Sequence, residues 1–355
     1  MKKNVKKRKI TRKGKLKIIS RLVIITSFFV GTIFFIRKFT LIEDDIPVMN
    51  NTTQWESQID DEKSDNLDTF ELSLRDILLK ANFDSEVENP FVSESILLIN
   101  RTSKEIIYHY KVDELRFPAS LVKMMTVLIG INYAYNDIMT VRADFESLAI
   151  ADAMIVGFNY GEVRPAREIL HAALLSSGAD ATATIANHVS GSYENFIDLM
   201  NEYAQKIGMY DTFFTNSSGL HHDDQVTTAR DMAIFLDYAI DNPIFYEIFT
   251  TPSYEIEWNS NYSQTLTLLS TMFMFLPFPE STNINENSRI IGGRTGFTSH
   301  AGRNLASLAT SSDSSGTNEE IEFILINLGA RSLDEEENRT IHIKDAIAIY
   351  ERFLQ

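Results

Sequence analysis

The sequence contains no cysteine. That absence excludes disulfides, thiolate metal sites, iron–sulfur clusters, a thiol nucleophile and a lipid-modified cysteine. It leaves the compartment open, since an oxidising exterior and a bacterial cytoplasm both accommodate such a chain. No His-Glu-x-x-His occurs, which disfavours a metallopeptidase. No internal repeat is present. Acidic residues are missing from positions 1–42, which hold 13 of the 33 Lys+Arg. The remaining 20 cations face all 49 acids, so residues 43–355 carry 20 − 49 = −29. A body of that charge repels nucleic acid, whose binding needs a basic footprint. With 355 residues, 44% hydrophobic and 23% charged, the chain is neither wholly disordered nor a mini-protein.

What is there begins with the basic end. Eleven cations between Lys2 and Arg21 precede an uncharged stretch of 15 residues, Leu22 to Ile36. Crossing a bilayer takes roughly 20 residues. A span over 18–42 reaches 25, with Arg21, Arg37 and Lys38 snorkelling near the interfaces. A cleaved signal peptide needs a small-x-small site. Arg37-Lys38-Phe39-Thr40-Leu41-Ile42 offers none. The expectation is an uncleaved, single-pass signal anchor in the cell membrane. Residues 1–17 would be cytoplasmic and the acidic body outside. Residues 43–90 read as an acidic tether, with a short helix within Leu67–Phe83.

The body, 91–355, alternates patterns. Ser95–Asn100 and Glu105–Tyr110 read as a hairpin. Ser120–Tyr135 has helical length and nearly continuous apolar content. Glu168–Leu175, Asp180–Val189, Ser192–Ile207 and Thr228–Ile240 read as further helices. Gly292–Gly296 opens a strand, Leu305–Thr310 and Ile321–Leu328 are strands, and Thr340–Leu354 closes as an amphipathic helix. Strands, helices, strands, helix in one domain put the first and last strands in one sheet. The fold class expected is α+β, a central antiparallel sheet flanked by helices with a helix-rich subdomain.

The chemistry concentrates in Phe117-Pro118-Ala119-Ser120-Leu121-Val122-Lys123. Three residues apart on a helix, Ser120 and Lys123 share a face. A serine hydroxyl is a poor nucleophile without a base. A lysine becomes that base when burial lowers its pKa toward neutrality. Alone, Ser-x-x-Lys also describes a capped helix with a solvated lysine. It is followed by Ser176-Ser177-Gly178-Ala179-Asp180 and then by Gly293-Arg294-Thr295-Gly296-Phe297.

In that order the three motifs resemble those of the serine-type D-alanyl-D-alanine carboxypeptidases, the low-molecular-weight penicillin-binding proteins. The resemblance runs over about residues 92–354. Asn216-Ser217-Ser218-Gly219, Thr227–Met232 and Ala301-Gly302 also look like family features. It implies a β-lactamase/transpeptidase-like fold, no cofactor and no metal. The implied substrate is a peptidoglycan stem ending in D-Ala-D-Ala, with β-lactams as covalent inhibitors. Ser120 would be the acylated nucleophile, Lys123 its base and Ser177 a proton relay. Arg294 would supply charge for the terminal carboxylate, and Thr295 would hydrogen-bond it. Gly296 belongs to the same substrate-binding strand, and the backbone N–H groups of Ser120 and Phe297 would form the oxyanion hole. Two positions depart from the pattern. Ala179 stands for an asparagine that contacts substrate, and Arg294 for a lysine. A weakened scaffold that binds wall stems or partners is the alternative. A class A β-lactamase would need a later deacylating Glu, and the nearest candidate, Glu168, precedes Ser177. His221-His222-Asp223-Asp224 reads as a polar loop rather than a metal site, and Asp334–Glu337 as a solvated loop.

Overall fold

The computed structural model describes residues 72–83, 88–143, 153–257, 265–276, 282–312 and 320–354. All of them fall within one compact unit, Asp68–Gln355. The expected membrane span, 18–42, lies outside the described residues. Among those described, no helix is long and apolar enough to cross a membrane.

The centre is a five-stranded antiparallel sheet. Its strands are β1 (Ser95–Asn100), β2 (Glu105–Tyr110), β7 (Ser288–Thr298), β8 (Gly302–Ser312) and β9 (Glu320–Ala330). The order β2-β1-β9-β8-β7 joins the amino-terminal hairpin to the carboxy-terminal strands, with Ser95 opposite Leu328 and Asn100 opposite Phe323. Alternation gives each strand two faces. Leu97, Ile99, Leu308, Ile324 and Ile326 join the helical core, while Ile96, Leu98, Leu305 and Leu325 pack in a second core with Ile343, Ile349 and Tyr350. The last three lie on α9 (Ile341–Phe353), which covers that second face.

On the first face sit α2 (Val122–Ala134), α3 (Ala166–Leu174), α4 (Ala179–Ser190), α5 (Tyr193–Ile207), α6 (Ala229–Ile240) and α7 (Pro243–Thr250). Helix α2 is buried on almost every side. That is why its sequence is apolar all round rather than striped. Two small hairpins complete this part: β3 (Ile138–Thr140) with β4 (Val163–Pro165), and β5 (Ser253–Glu257) with β6 (Thr265–Leu269).

Helix α1 (Leu74–Lys80), expected inside the tether, belongs to the body. Its Leu74 and Leu78 are buried in the helical core. Arg230 donates to the carbonyls of Leu78 and Ala81, fixing the helix end to α6. The acidic run at 334–337 is not a plain loop. It forms the short helix α8 (Glu335–Asn338), capped by the Asp334 carboxylate, which accepts the N–H of Glu337 at 2.8 Å. Acid at a helix start is favourable.

Candidate active site

Ser120 sits not in α2 but in a 3₁₀ turn before it, Ala119–Leu121. Pro118 leads that turn, and Ala119 takes φ of +49°. A positive φ at a residue with a Cβ is strained and persists only where the surroundings hold it. They do so from two sides. Gly219, at φ +82°, is packed so closely that a Cβ there would lie 2.0 Å from the Ala119 carbonyl oxygen. Gly296 of β7 approaches from the other side, its Cβ position 3.1 Å from both the Ser120 nitrogen and the Pro118 oxygen. Asn304 of β8 completes the clamp by donating to the carbonyls of Phe117 and Pro118 at 2.9 and 3.1 Å.

Held this way, Ser120 Oγ is 3.2 Å from Lys123 Nζ and 3.2 Å from Ser177 Oγ. Lys123 is only 3% exposed, and its amine also donates to the carbonyl of Ser218. Burial, and next the positive charge of Arg294, hold its pKa well below the ordinary lysine range, with Asp180 acting the other way. A neutral amine beside a hydroxyl is what proton abstraction from serine requires.

Ser177 adopts φ of +63° in the bend between α3 and α4, a second strained residue at the site. Its hydroxyl accepts a hydrogen bond from Arg294 Nη2 at 2.6 Å. Because a guanidinium only donates, that bond takes an acceptor lone pair of Ser177 and leaves its proton free to point at Ser120.

Arg294 is where expectation and geometry part. The side chain is 1% exposed and lies beneath the cleft rather than in its lining. Nη1 donates to Leu174 O at 2.8 Å and to Thr271 Oγ1 at 3.0 Å, and Nε to Ser120 O at 3.3 Å. Every nitrogen donates to the protein and the side chain lies outside the cleft lining, a placement unlike the expected grip on a substrate carboxylate. Burial pulls its pKa down to about 9, and the side chain still carries its charge at neutral pH. Within the protein it donates to Ser177, and its charge lowers the pKa of Lys123.

Ser120, Lys123, Ser177, Ala179, Thr295 and Phe297 line one cleft of about 800 Å³. Ala179 presents only a methyl group there, and its N–H donates to the carbonyl of Met154 at 2.8 Å. Glu168 is not in the lining. On the first turn of α3, it accepts from Arg164 at 3.2 Å.

Four contributors escaped the sequence reading. Asp180, fully buried, accepts the N–H groups of Val156, Gly157 and Phe158 at 3.0, 2.9 and 3.3 Å, and so pins the loop that brings Met154 to the cleft. Its signal in the sequence is an acid that follows the Ser177-Gly178 pair with one residue between. His221, read as part of a polar loop, stacks on His300 with ring centroids 3.7 Å apart at the cleft rim, backed by the edge of Phe117. Arg303 lines the same side, its guanidinium 4.1 Å from the centre of the Phe297 ring. Only the fold brings these distant positions together.

The D-alanyl-D-alanine carboxypeptidase family matches residues 83–330, well over half of the chain. Among curated proteins the chain is similar to D-alanyl-D-alanine carboxypeptidase DacA of Haemophilus influenzae. The two are 28% identical over 228 residues, covering 62% of this chain and 54% of that one. DacC of Escherichia coli is 29% identical over 259 residues, 70% and 60%. The chain thus spans a little over half the length of these relatives. Among solved structures, penicillin binding protein 5 from Haemophilus influenzae superposes with a TM-score of 0.59 at 24% identity, covering 75% of this chain and 72% of that one. The Streptomyces K15 DD-transpeptidase, as a serine-to-alanine mutant, gives 0.62 at 18%, covering 75% and 99%. At those identities the likeness speaks for the fold.

Proposed function

The chain belongs to the D-alanyl-D-alanine carboxypeptidase family, and from that premise we propose that its body removes the terminal D-alanine of peptidoglycan stem pentapeptides through an ester on Ser120. The observation that carries the reading is the unbroken contact of Lys123 Nζ, Ser120 Oγ and Ser177 Oγ, with the amine buried. Lys123 takes the Ser120 proton as Oγ bonds to the carbonyl carbon of the penultimate residue. The N–H groups of Ser120 and Phe297 receive the oxyanion. The carbon–nitrogen bond then breaks, and Ser177 passes a proton to the departing amine. Water attacks the ester, returns a proton to the Ser120 oxygen and frees the shortened stem. Thr295 meets the terminal carboxylate. A β-lactam forms the same ester by opening its ring. Ala179 withholds one neutral hydrogen bond from the substrate, worth about 0.5–1.5 kcal/mol, a slowing rather than a loss.

In the same reading, residues 18–42 anchor the chain in the cell membrane with the body outside. The support is the sequence alone: eleven cations before residue 22, no acid before 43 and no small-x-small site. The test of activity is D-alanine release from a pentapeptide stem, alongside labelling by a fluorescent penicillin. Wild type should release and label, and Ser120→Ala should do neither while keeping its fold. Wild type that binds stem yet matches Ser120→Ala in release would replace the enzyme by the scaffold.

A further inference from the structure

We propose that Asn216, which lies outside all three motifs, is a positioning residue for the base: it holds the Ser218 carbonyl on the Lys123 amine and so aims the amine at Ser120. The inference rests on the reading of Lys123 as the base that activates Ser120, and on the hydrogen bonds of one turn.

A neutral amine has one lone pair and two N–H groups. It takes a proton only when the lone pair faces the hydroxyl. The flexible four-carbon stem of a lysine does not fix that orientation. An acceptor on another side of the nitrogen does. Among the described residues the amine has two hydrogen-bonding neighbours, Ser120 Oγ at 3.2 Å and the carbonyl of Ser218. The second motif adds no side-chain acceptor, because Ala179 carries a methyl group. One N–H therefore goes to Ser218 O, which leaves the lone pair for the Ser120 proton.

Ser218 lies in the loop between α5 and α6, and Asn216 ties that loop into a turn. Asn216 Oδ1 accepts the N–H groups of Ser218 and Gly219 at 3.2 and 2.7 Å and the Ser218 hydroxyl at 3.3 Å. Its Nδ2 donates to Leu220 O at 2.8 Å. An asparagine side chain can mimic a backbone turn in this way. With the turn closed, two successive carbonyls meet two residues on one face of α2. Ser217 O accepts from Thr126 Oγ1 at 2.8 Å, and Ser218 O accepts from Lys123. Tyr193 of α5 holds the same turn, its hydroxyl accepting the Ser217 N–H at 3.0 Å. Gly219, which packs on the Ala119 carbonyl, is the next residue of the turn. One amide side chain thus sets both the base and the turn that carries the nucleophile.

The test measures penicillin acylation by the full chain against concentration and pH, which separates the limiting rate from the Kd of the encounter. Asn216→Ala should lower the limiting rate at high pH by about 10- to 100-fold, the scale of a small displacement at a reacting centre. Its Kd should stay within about threefold of wild type, since no group that meets the ligand has changed. The acidic limb should move to lower pH. The ammonium form loses its carbonyl acceptor, while Arg294 and Asp180, the charges that act on it, are untouched. Asn216→Asp keeps the acceptor, gives up the Nδ2 contacts and adds a negative charge. It should restore the high-pH rate to within about threefold of wild type and move the limb to higher pH, because a carboxylate favours the ammonium. Urea unfolding and complete labelling at long times show that the variants are folded. If Asn216→Ala does not fold, Thr126→Val serves: it frees the Ser217 carbonyl from α2 and should lower the limiting rate in the same direction. An unchanged limiting rate in Asn216→Ala, or in Thr126→Val where that variant stands in, would overturn the assignment. So would an acidic limb that stays in place in Asn216→Ala, or equal losses in Asn216→Ala and Asn216→Asp. Release of D-alanine is read separately. Wild type that labels without releasing D-alanine would sink the carboxypeptidase and leave the positioning role standing. Release by wild type with an unaffected Asn216→Ala would do the reverse, and wild type that does not label would end both.

Discussion

Lys123 must be a base in a position where most lysines are acids, and two neighbours decide how far it succeeds. Burial is the larger influence on its amine and the Arg294 charge the next, while Asp180 opposes both. A lowered pKa means the amine is neutral above that value and protonated below it, so acylation should rise with pH through it. Arg294→Gln removes the opposing positive charge, and the Lys123 pKa should climb. The acidic limb of the pH–rate profile for penicillin acylation should then move to higher pH, and the rate at pH 7 should drop by about tenfold or more. Arg294→Lys keeps the charge and should leave the limb close to wild type. A limb that does not move in the Gln variant would show that Arg294 acts on Ser177 alone. Here the sequence told the residue but not its address. Arg294 was legible as a cation in the third motif. Its burial was not, because only the packing of Leu174, Thr271 and Ser177 around it gives its nitrogens acceptors inside the protein.

At the scale of elements, the site depends on loops held by glycines and acids more than on helices. Gly219 has φ of +82° and no room for a methyl group against the Ala119 carbonyl. Gly208, the left-handed cap of α5, has φ of +98° but meets only the Arg75 and Leu79 side chains. Alanine at either costs the left-handed conformation, roughly 1–2 kcal/mol. Only Gly219→Ala should also displace the nucleophile turn, where about 1 Å is worth on the order of 100-fold in rate. Comparing the two variants by denaturation and by penicillin acylation separates the terms. Equal loss of acylation in both would refute the clamp.

Asp231 gives the elements a pH signature. It stands in the first turn of α6, where its carboxylate accepts from Thr212 Oγ1 at 2.7 Å and from the Asp211 N–H at 2.9 Å. Burial nevertheless outweighs those bonds and pushes its pKa up to about 6. A raised carboxyl pKa means the folded state holds the proton more tightly. Its stabilisation is therefore complete below about pH 4 and lost as pH rises through 6, on the order of 3 kcal/mol. Asp231→Asn should gain on wild type across that window in urea unfolding, and a constant difference from pH 4 to 7.5 would contradict it.

The strands β1, β2, β8 and β9, and helices α2 to α6 and α9, were legible because each carries its own period or an apolar run of the right length. Helix α7 and the two short hairpins were not. Pro243 and a dense aromatic run hide α7, and three-residue strands such as β3 have no period to read. In the site, Ser120 and Lys123 stood out by spacing. Arg303 and His300 did not, since neither belongs to a motif.

The whole molecule divides by charge. Residues 1–42 hold 13 cations and no acid, and the rest carries −29. Such a separation is poorly suited to one globule, in which the two parts would pair, and well suited to a chain whose ends lie on opposite sides of a bilayer. Lys and Arg flanking an apolar stretch stay on the cytoplasmic side, whereas acids do little to resist export. The 25 residues from 18 to 42 suffice for a span of roughly 30 Å. The compact body includes α1, docked on its core, so the part of the acidic sequence proposed as a tether shortens to the residues before it. Protease added outside intact cells should therefore cut between 43 and 67, releasing a folded body that still acylates penicillin. A small basic fragment should stay with the membrane. The same protease should leave that fragment's cationic end untouched until the membrane is opened, because the proposed topology puts it on the cytoplasmic side. A body already soluble outside the cells, beginning near Glu43 before any protease is added, would instead identify the apolar stretch as a cleaved signal. The separation of charge would then have served export alone.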